Sequence, residues 1–348
     1  IVAPLSRPAA LFGFGLFALL NLIKGGEYVL ERDFLGLVPP ALAFAIACRN
    51  TSLTRGHVIS TALLAALACS MKPNAVVLVP VLVWIFCQRS TPTAKYRSLA
   101  LFFASMAAMA AVPFLWVLQQ GGLPAFIDIY RDFVPVYANS RYDLWHYNSV
   151  AERWQFLLDS YLKAGGGAML LAAPGLAWAW LIHRTDAAAR QRLGRLAAMM
   201  VAFTFYEVIA GKFWLNHMFP SAYWTCLCFA LLLTPTASAS HRQTLLAMLL
   251  LLPAGWLAWT LGSASMSEMH AAWQQEKQAP QQWRARRVAD FLVSQSLQEN
   301  DRVQVLDMAG DGQASLLLAR ATSATRHLID VPLYMQPDTI ATQALRQE

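Results

Sequence analysis

Long apolar runs separated by short polar loops constrain this chain more than any other feature of its sequence. Nine such runs, rich in Leu, Ala, Val and Phe, follow one another, and they cover 8–23, 34–48, 57–71, 74–88, 98–118, 164–182, 196–211, 218–234 and 244–262. A membrane-spanning helix needs about 20 apolar residues, and fewer where the helix is short or broken. The pattern therefore predicts an all-α membrane fold, a polytopic bundle of about nine transmembrane helices.

The composition agrees with this interpretation and excludes several other classes of protein. Hydrophobic residues make up 57% of the chain and charged residues only 14%, whereas soluble domains carry about a quarter charged residues. The net charge of +7 arises largely from arginines in short loops, so it does not indicate a nucleic-acid partner. The five cysteines lie within or at the ends of apolar runs. They are expected to pack as small hydrophobic side chains, without a disulfide or zinc framework.

The basic residues of the loops predict the orientation of the chain. They follow the second, fourth, sixth and eighth runs, so they share one side of the membrane if the spans simply alternate. The residues concerned are Arg49, Arg55, Arg89, Lys95, Arg97, Arg184, Arg190, Arg192, Arg195 and Arg242. Loops rich in Lys and Arg stay in the cytoplasm. We therefore expect a multi-pass protein of the plasma membrane whose C-terminal tail is extracytoplasmic.

The predicted extracytoplasmic side mixes acidic with basic residues, so ionisable groups with a function are expected there. The membrane domain is predicted to cover residues 1–262, with a long extracytoplasmic loop at 119–163. Residues 263–348 are predicted to form a small α/β appendage, with a helix-like segment at 267–296 broken at Pro280, a strand at 302–308 and a helix at 314–320. Because Ile1 opens almost directly into a span and the tail stops without a terminal element, we expect a fragment of a longer protein.

Lys72 is a candidate phosphate-binding residue. It lies between two short apolar runs and precedes Pro73, a residue that readily starts a helix because it lacks an N–H. An ammonium group beside a helix N-terminus suits an anion. The alternative is an interfacial lysine that extends to the membrane surface and binds nothing.

Glu27, Glu31 and Arg32 form a second candidate group in the first extracytoplasmic loop. Glu27 and Glu31 are four residues apart, so on a helix both carboxylates share a face. Such a pair could bind a divalent cation, hold the hydroxyls of a sugar, or take part in acid–base chemistry. The alternative is a solvated loop of compensating charges, in which Asp33 caps the next helix.

A third group, Lys212 and His217, stands at the mouth of the eighth run, beside Trp214 and Asn216. Both charged side chains can contact phosphate, and histidine titrates near neutral pH. Aromatic residues at this position are also ordinary membrane-interface anchors. Both interpretations remain open on the sequence alone.

Three segments resemble the polytopic glycosyltransferases of the type C fold, in particular the bacterial relatives of the dolichyl-phosphate-mannose protein mannosyltransferases. They are GEYVLERDFLGLVPPALAFAIA at 26–47, ALLAALACSMKPNAVVLVPVLVW at 62–84 and GKFWLNHMFPSAYW at 211–224. In that group an Arg-Glu or Glu-Arg element precedes a span containing proline, and a Lys-Pro or Lys-Gly pair opens a short span. A Gly-Lys-x-Trp-x-x-His-like turn opens a late one. Each motif is degenerate, and the resemblance lies in their order, spacing and common side.

The resemblance implies transfer of a sugar from a polyprenyl-phosphate donor to a glycan, lipid or protein acceptor at the extracytoplasmic face. It implies that Lys72, Lys212 and His217 bind the donor phosphate. It also implies that Glu27, Glu31 and Arg32 line the region of the sugar or of a divalent cation.

The sequence departs from this group in one respect that bears on catalysis. Members carry their catalytic acidic residue, which serves as the base, in the first extracytoplasmic loop after the first span, whereas the first span here aligns best with a middle helix. We therefore assign no catalytic residue, and the fragment itself is expected to be inactive if the catalytic loop precedes it. Two other classes remain: a transporter or flippase-like protein for lipid-linked or anionic substrates, and a non-catalytic membrane assembly subunit.

Overall fold

The computed structural model describes most of the chain up to residue 235 and short pieces beyond it. The described residues are 2–23, 35–49, 52–133, 150–163, 165–210, 215–235, 256, 259, 263, 267, 284–295, 302–303, 315–316 and 318–323. Contacts divide the chain into two units, one made of residues 1–115 and 151–270, the other of residues 116–150 and 271–348. The first unit contains nearly all of the helical core described below.

The described residues are mostly helical and contain eleven α-helices. They are α1 (Arg7–Ile23), α2 (Val38–Ala47), α3 (Arg55–Met71), α4 (Leu78–Arg89), α5 (Pro92–Gln119), α6 (Leu123–Asp128), α7 (Val150–Lys163), α8 (Gly165–Ile182), α9 (Ala187–Ala210), α10 (Phe219–Phe229) and α11 (Arg284–Ser294). Three 3₁₀ segments, Pro73–Val77, Leu215–Met218 and Ala230–Leu233, and a π-helical turn at Ile129–Phe133 adjoin them.

Short-range side-chain bonds explain where two of the helices begin. Thr54 and His57 form a reciprocal capping box at the start of α3. The backbone N–H of His57 donates to the Thr54 hydroxyl at 3.2 Å, and the backbone N–H of Thr54 donates to Nδ1 of His57 at 3.4 Å. Asp186 caps α9 by accepting from the backbone N–H groups of Ala188 and Ala189 at 2.9 and 3.0 Å. The bond from Ala189, with that from Ala188, lowers the pKa of the Asp186 carboxyl.

Helix α10 lies at the centre of the first unit and packs against α1, α8 and α9. Nine of its eleven residues are buried. The indole ring of Trp224 meets Phe44 of α2 edge-on at a centroid distance of 5.3 Å and stacks on Phe203 of α9 at 5.8 Å. Aromatic pairs favour these two arrangements, so Trp224 joins three helices into one core.

Gly175 lets α8 approach α10 closely. A Cβ atom at this position would lie 2.1 Å from the carbonyl oxygen of Cys228 and 2.7 Å from that of Phe229. Both are backbone atoms that cannot turn aside as a flexible side chain can. Small residues allow helix backbones to come together in this way, and here the contact closes one side of α10.

Helix α5 differs from the rest because it is long, apolar and largely uncovered. It has 28 residues, a mean hydropathy of 2.1 over its most apolar window, and Phe102 as its single buried residue. Among the described helices it is the one that is long and apolar enough to cross a membrane, judged by length and composition. Large apolar side chains are also exposed on other helices, among them Leu11 of α1 and Leu170 of α8, each 77% exposed.

Eight of the nine apolar runs coincide with helices, and the edges agree within a few residues at most ends. The largest difference is at α9, which starts at Ala187 rather than at residue 196 because Asp186 caps it. The ninth run, 244–262, lies outside the described residues except for Trp256 and Trp259. The helices are thus observed, while the crossing of a membrane by each of them remains a prediction.

The predicted long loop and tail contain helices, and α11 lies in the second half of the segment predicted to be helix-like at 267–296. Within 119–163, the described residues form α6, the π-helical turn and α7. In the tail, α11 precedes a two-residue strand, β1 (Arg302–Val303), which pairs in parallel with β2 (Thr322–Ser323). Residues 304–308 of the predicted strand lie outside the described part, so the α/β appendage remains a prediction.

Candidate functional site

Lys72 lies at the sharp junction between α3 and the following 3₁₀ segment. Its backbone N–H still bonds to the carbonyl of Ala68 at 3.0 Å, but its own backbone is extended, with φ −148° and ψ 116°. A helical segment starts at Pro73, as the sequence predicted. The side chain of Lys72 is half-buried at this junction, which is compatible with either of the two roles considered for it.

His217 lies in the 3₁₀ segment that leads into α10, and it is almost fully buried, with 6% exposure. This segment packs against both α9 and α10. A histidine that served only as an anchor at a membrane surface would be expected to have its ring in the interface. The burial of His217 instead places a titratable ring inside the helix layer.

Glu207 is a buried ionisable residue that the sequence analysis did not single out. It is 0% exposed, near the end of α9, and the hydroxyl of Ser221 in α10 donates to its Oε1 atom. The same hydroxyl lies 3.0 Å from the carbonyl oxygen of Met218, which follows His217. Ser221 therefore links the Glu207 carboxyl to the turn that carries His217.

A signal for Glu207 was present in the sequence. It is the one acidic residue in the apolar run 196–211, and a carboxyl group in such a run is costly to bury unless it is hydrogen-bonded. Ionisable residues within membrane segments are functional candidates by default. The site residues predicted from the sequence all lie in loops or turns between apolar runs, whereas Glu207 lies inside a run.

The packing of α4 on α9 places Lys72 at the same end of the helix layer as Glu207. Gln88, near the end of α4, accepts from Gln191 and Arg195, near the start of α9, at 3.2 and 3.1 Å. The two helices are therefore antiparallel. The start of α4 lies about 15 Å back along its axis, toward Glu207, and the segment after Lys72 packs against α9 as well.

Tyr161 of α7 packs against α9 at Thr204 and Phe205, close to Glu207 in the helix. The Tyr161 hydroxyl is 3.1 Å from the hydroxyl of Thr204, which in turn donates to the carbonyl of Val201 at 2.7 Å. The Tyr161 ring also stacks on Phe205 at a centroid distance of 5.7 Å. Thr204 is fully buried, so polar groups continue along α9 for one turn below Glu207.

The remaining predicted site residues lie outside the described residues, as does any cation site built on the two glutamates. They are Lys212, Glu27, Glu31 and Arg32. Within the described part of the chain, no three His, Cys, Asp or Glu side chains lie together as a metal site requires. The assembled candidate site therefore consists of Glu207, Ser221 and His217, with Lys72 at the same helix end.

No family model matches this chain, and no curated protein or solved structure is significantly similar to it.

Proposed function

We propose that this chain is a membrane glycosyltransferase that moves a sugar from a polyprenyl-phosphate donor to an acceptor at the extracytoplasmic face. The observation that carries the proposal is the buried group formed by Glu207, Ser221 and His217 at one end of an apolar helix layer. Lys72 lies at that same end. The short resemblance to type C glycosyltransferases covers Lys72, His217 and Ser221, but not Glu207.

The exposed apolar surface supports a membrane location with several spans. Soluble monomers rarely expose apolar patches larger than a few hundred Å². Here α5 is almost wholly uncovered, and α1 and α8 expose large leucines. We propose that about nine helices, including the run 244–262, cross the bilayer, and that residues 263–348 form an extracytoplasmic α/β appendage.

The distribution of charge supports the orientation. Arg89 at the end of α4 donates through Nη1 to the Ala47 carbonyl at the end of α2, and Arg195 lies beside them near the start of α9. These two arginines come from different loops, and they gather about 18 Å along α9 from Glu207. Basic loops favour the cytoplasm, which leaves the Glu207 end for the extracytoplasmic face.

The proposed reaction uses these residues mainly for binding and positioning. Transfer breaks the bond between the anomeric carbon and the donor phosphate oxygen, and forms a bond from that carbon to an acceptor oxygen, whose proton passes to a base. The leaving phosphate gains negative charge, so cationic groups such as Lys72, Lys212 and His217 would stabilise it. Glu207 acts through Ser221 and the Met218 carbonyl to position the turn that carries His217. No described residue is assigned as the base.

Turnover of polyprenyl-phosphate hexoses by the full-length protein in lipid nanodiscs tests the proposal. Lys72→Ala and His217→Ala are expected to lower kcat/KM by about a hundredfold, since removal of one group that stabilises a developing anion commonly costs that much. Lys95→Ala and His57→Ala, at the opposite helix ends, are the matched controls. Binding of polyprenyl phosphate is measured beside turnover.

Normal turnover in both test variants would remove the site assignment. If instead the protein releases no polyprenyl phosphate from any donor but moves a fluorescent polyprenyl-phosphate sugar across a proteoliposome membrane, the transporter alternative replaces the proposal. An absence of both activities, with no binding of polyprenyl phosphate, would favour the assembly subunit.

A further inference from the structure

A cavity lined by arginine lies at the end of the helix layer opposite Glu207. It has a volume of about 230 Å³, and Arg49, Arg192 and Cys48 form part of its wall. The rest of the wall is mainly apolar and includes Leu5, Phe44 and Leu196. The cavity thus combines a cationic rim with a hydrocarbon lining.

A third arginine is held rigidly beside this cavity. Arg195 is only 5% exposed, its Nε donates to the Gln88 side chain at 3.1 Å, and its positive charge acts on the nearby Cys48 side chain. Because Cys48 and Leu196, the residue that follows Arg195, both line the cavity, Arg195 lies beside it. The nearby charge of Arg89 repels that of Arg195.

These charges lack carboxylate partners within the part of the chain that the structure describes. Arg49, Arg192 and Arg195 form no ion pair there, and Asp186 senses the charge of Arg192 only from a longer distance. A buried cation without a counter-ion is unfavourable. An anion in the cavity would offset part of this positive charge and accept hydrogen bonds from guanidinium groups, whose donors suit the geometry of phosphate.

We propose that this cavity binds a phosphate group, seated by Arg49, Arg192 and Arg195, independently of the sugar-transfer site. The phosphate could belong to an anionic lipid headgroup or to a free phosphate compound. The apolar lining favours the lipid, since Leu5, Phe44 and Leu196 would contact an acyl chain. Basic pockets between membrane helices on the cytoplasmic side commonly hold such headgroups.

The test uses the full-length protein purified in an uncharged detergent. Its unfolding temperature is measured on addition of phosphatidylglycerol, phosphatidylcholine or inorganic phosphate, and the lipids that remain bound are counted by native mass spectrometry. Arg49→Gln/Arg192→Gln is the main variant because both side chains reach solvent, so the fold should survive. Arg97→Gln/Arg184→Gln removes the same charge from exposed positions outside the cavity and is the control. Arg195→Gln is added if it folds.

We expect phosphatidylglycerol to raise the unfolding temperature of the unmodified protein and of the control, and to bind the Arg49/Arg192 variant about tenfold or more weakly. The same pattern with inorganic phosphate alone would also support the site and would assign it to a free phosphate compound. Equal effects of phosphatidylcholine and phosphatidylglycerol, equal effects in variant and control, or no effect of any addition would overturn the proposal.

Discussion

Helices α5 and α10 are both strongly apolar, yet the structure surrounds them differently. One residue of the 28 in α5 is buried, whereas nine of the eleven in α10 are. Their polar residues differ too: α10 carries Ser221 and Thr225 on its buried surface, while the apolar stretch of α5 from residue 99 to 118 holds a single hydroxyl, Ser105. High hydropathy therefore says that a helix avoids water, but not whether protein or lipid takes the place of water.

The largest effect is expected from a substitution that breaks the contact between α8 and α10. Gly175→Ala should destabilise the protein by more than about 3 kcal/mol, at the upper end of overpacking costs, because the added Cβ meets backbone carbonyls that can move only with their helix. Unfolding in mixed micelles would measure this. Gly15→Ala in α1 is the control, since nothing lies within 4 Å of its added Cβ. Equal stability of the two variants would contradict the close approach of α8 and α10.

A smaller effect compares one leucine from each environment. Leu231, directly after α10, is 0% exposed, and Leu115 of α5 is 58% exposed. Leu231→Ala should cost about 2 kcal/mol, mostly from the cavity left behind, because lipid solvates leucine nearly as well as a core does. Leu115→Ala should change stability by less than about 0.5 kcal/mol. Similar costs for both would mean that α5 is covered by another part of the protein.

The hydrogen bond from Ser221 of α10 to Glu207 of α9 should contribute less to stability than the packing of α10 does. Ser221→Ala removes the hydroxyl that the Glu207 carboxyl accepts from, and we expect a loss of about 1 kcal/mol. Ser105→Ala in α5 provides the matched removal of a hydroxyl and should be nearly neutral. Unfolding of the two variants under the same conditions gives the comparison, and an equal loss in both would remove the special role assigned to Ser221.

The smallest effect identifies a segment that lies in water rather than in protein or lipid. The pKa of Asp186 is lowered in the folded state by the N–H groups it accepts from. Its contribution to stability is therefore fully present above the unfolded pKa and is lost as the pH falls through the folded pKa. The difference in unfolding temperature between the unmodified protein and Asp186→Ala should shrink across that acidic range. A difference independent of pH would show that the carboxylate does not act as the cap of α9.

Much of the helical architecture could be predicted from local sequence. Apolar runs located eight helices, and the Lys72–Pro73 pair located a break between two of them. Arg49, Arg89 and Arg195 were predicted to share one side, and their loops do come together around Gln88 and the Ala47 carbonyl. These features depend on periodicity, composition and residue order, which act along the chain.

The tertiary structure alone decided which apolar face is buried, that Glu207 meets Ser221 fourteen residues away, and that Arg49 and Arg192, from two different loops, line one cavity. Such outcomes depend on how closely two helices approach and on which side chains then face each other. A single glycine, Gly175, sets one of those distances. The sequence determined that this chain forms apolar helices with charged ends, because solvation acts on each segment separately. Packing selected the partners, because contact requires segments distant in sequence to fit together.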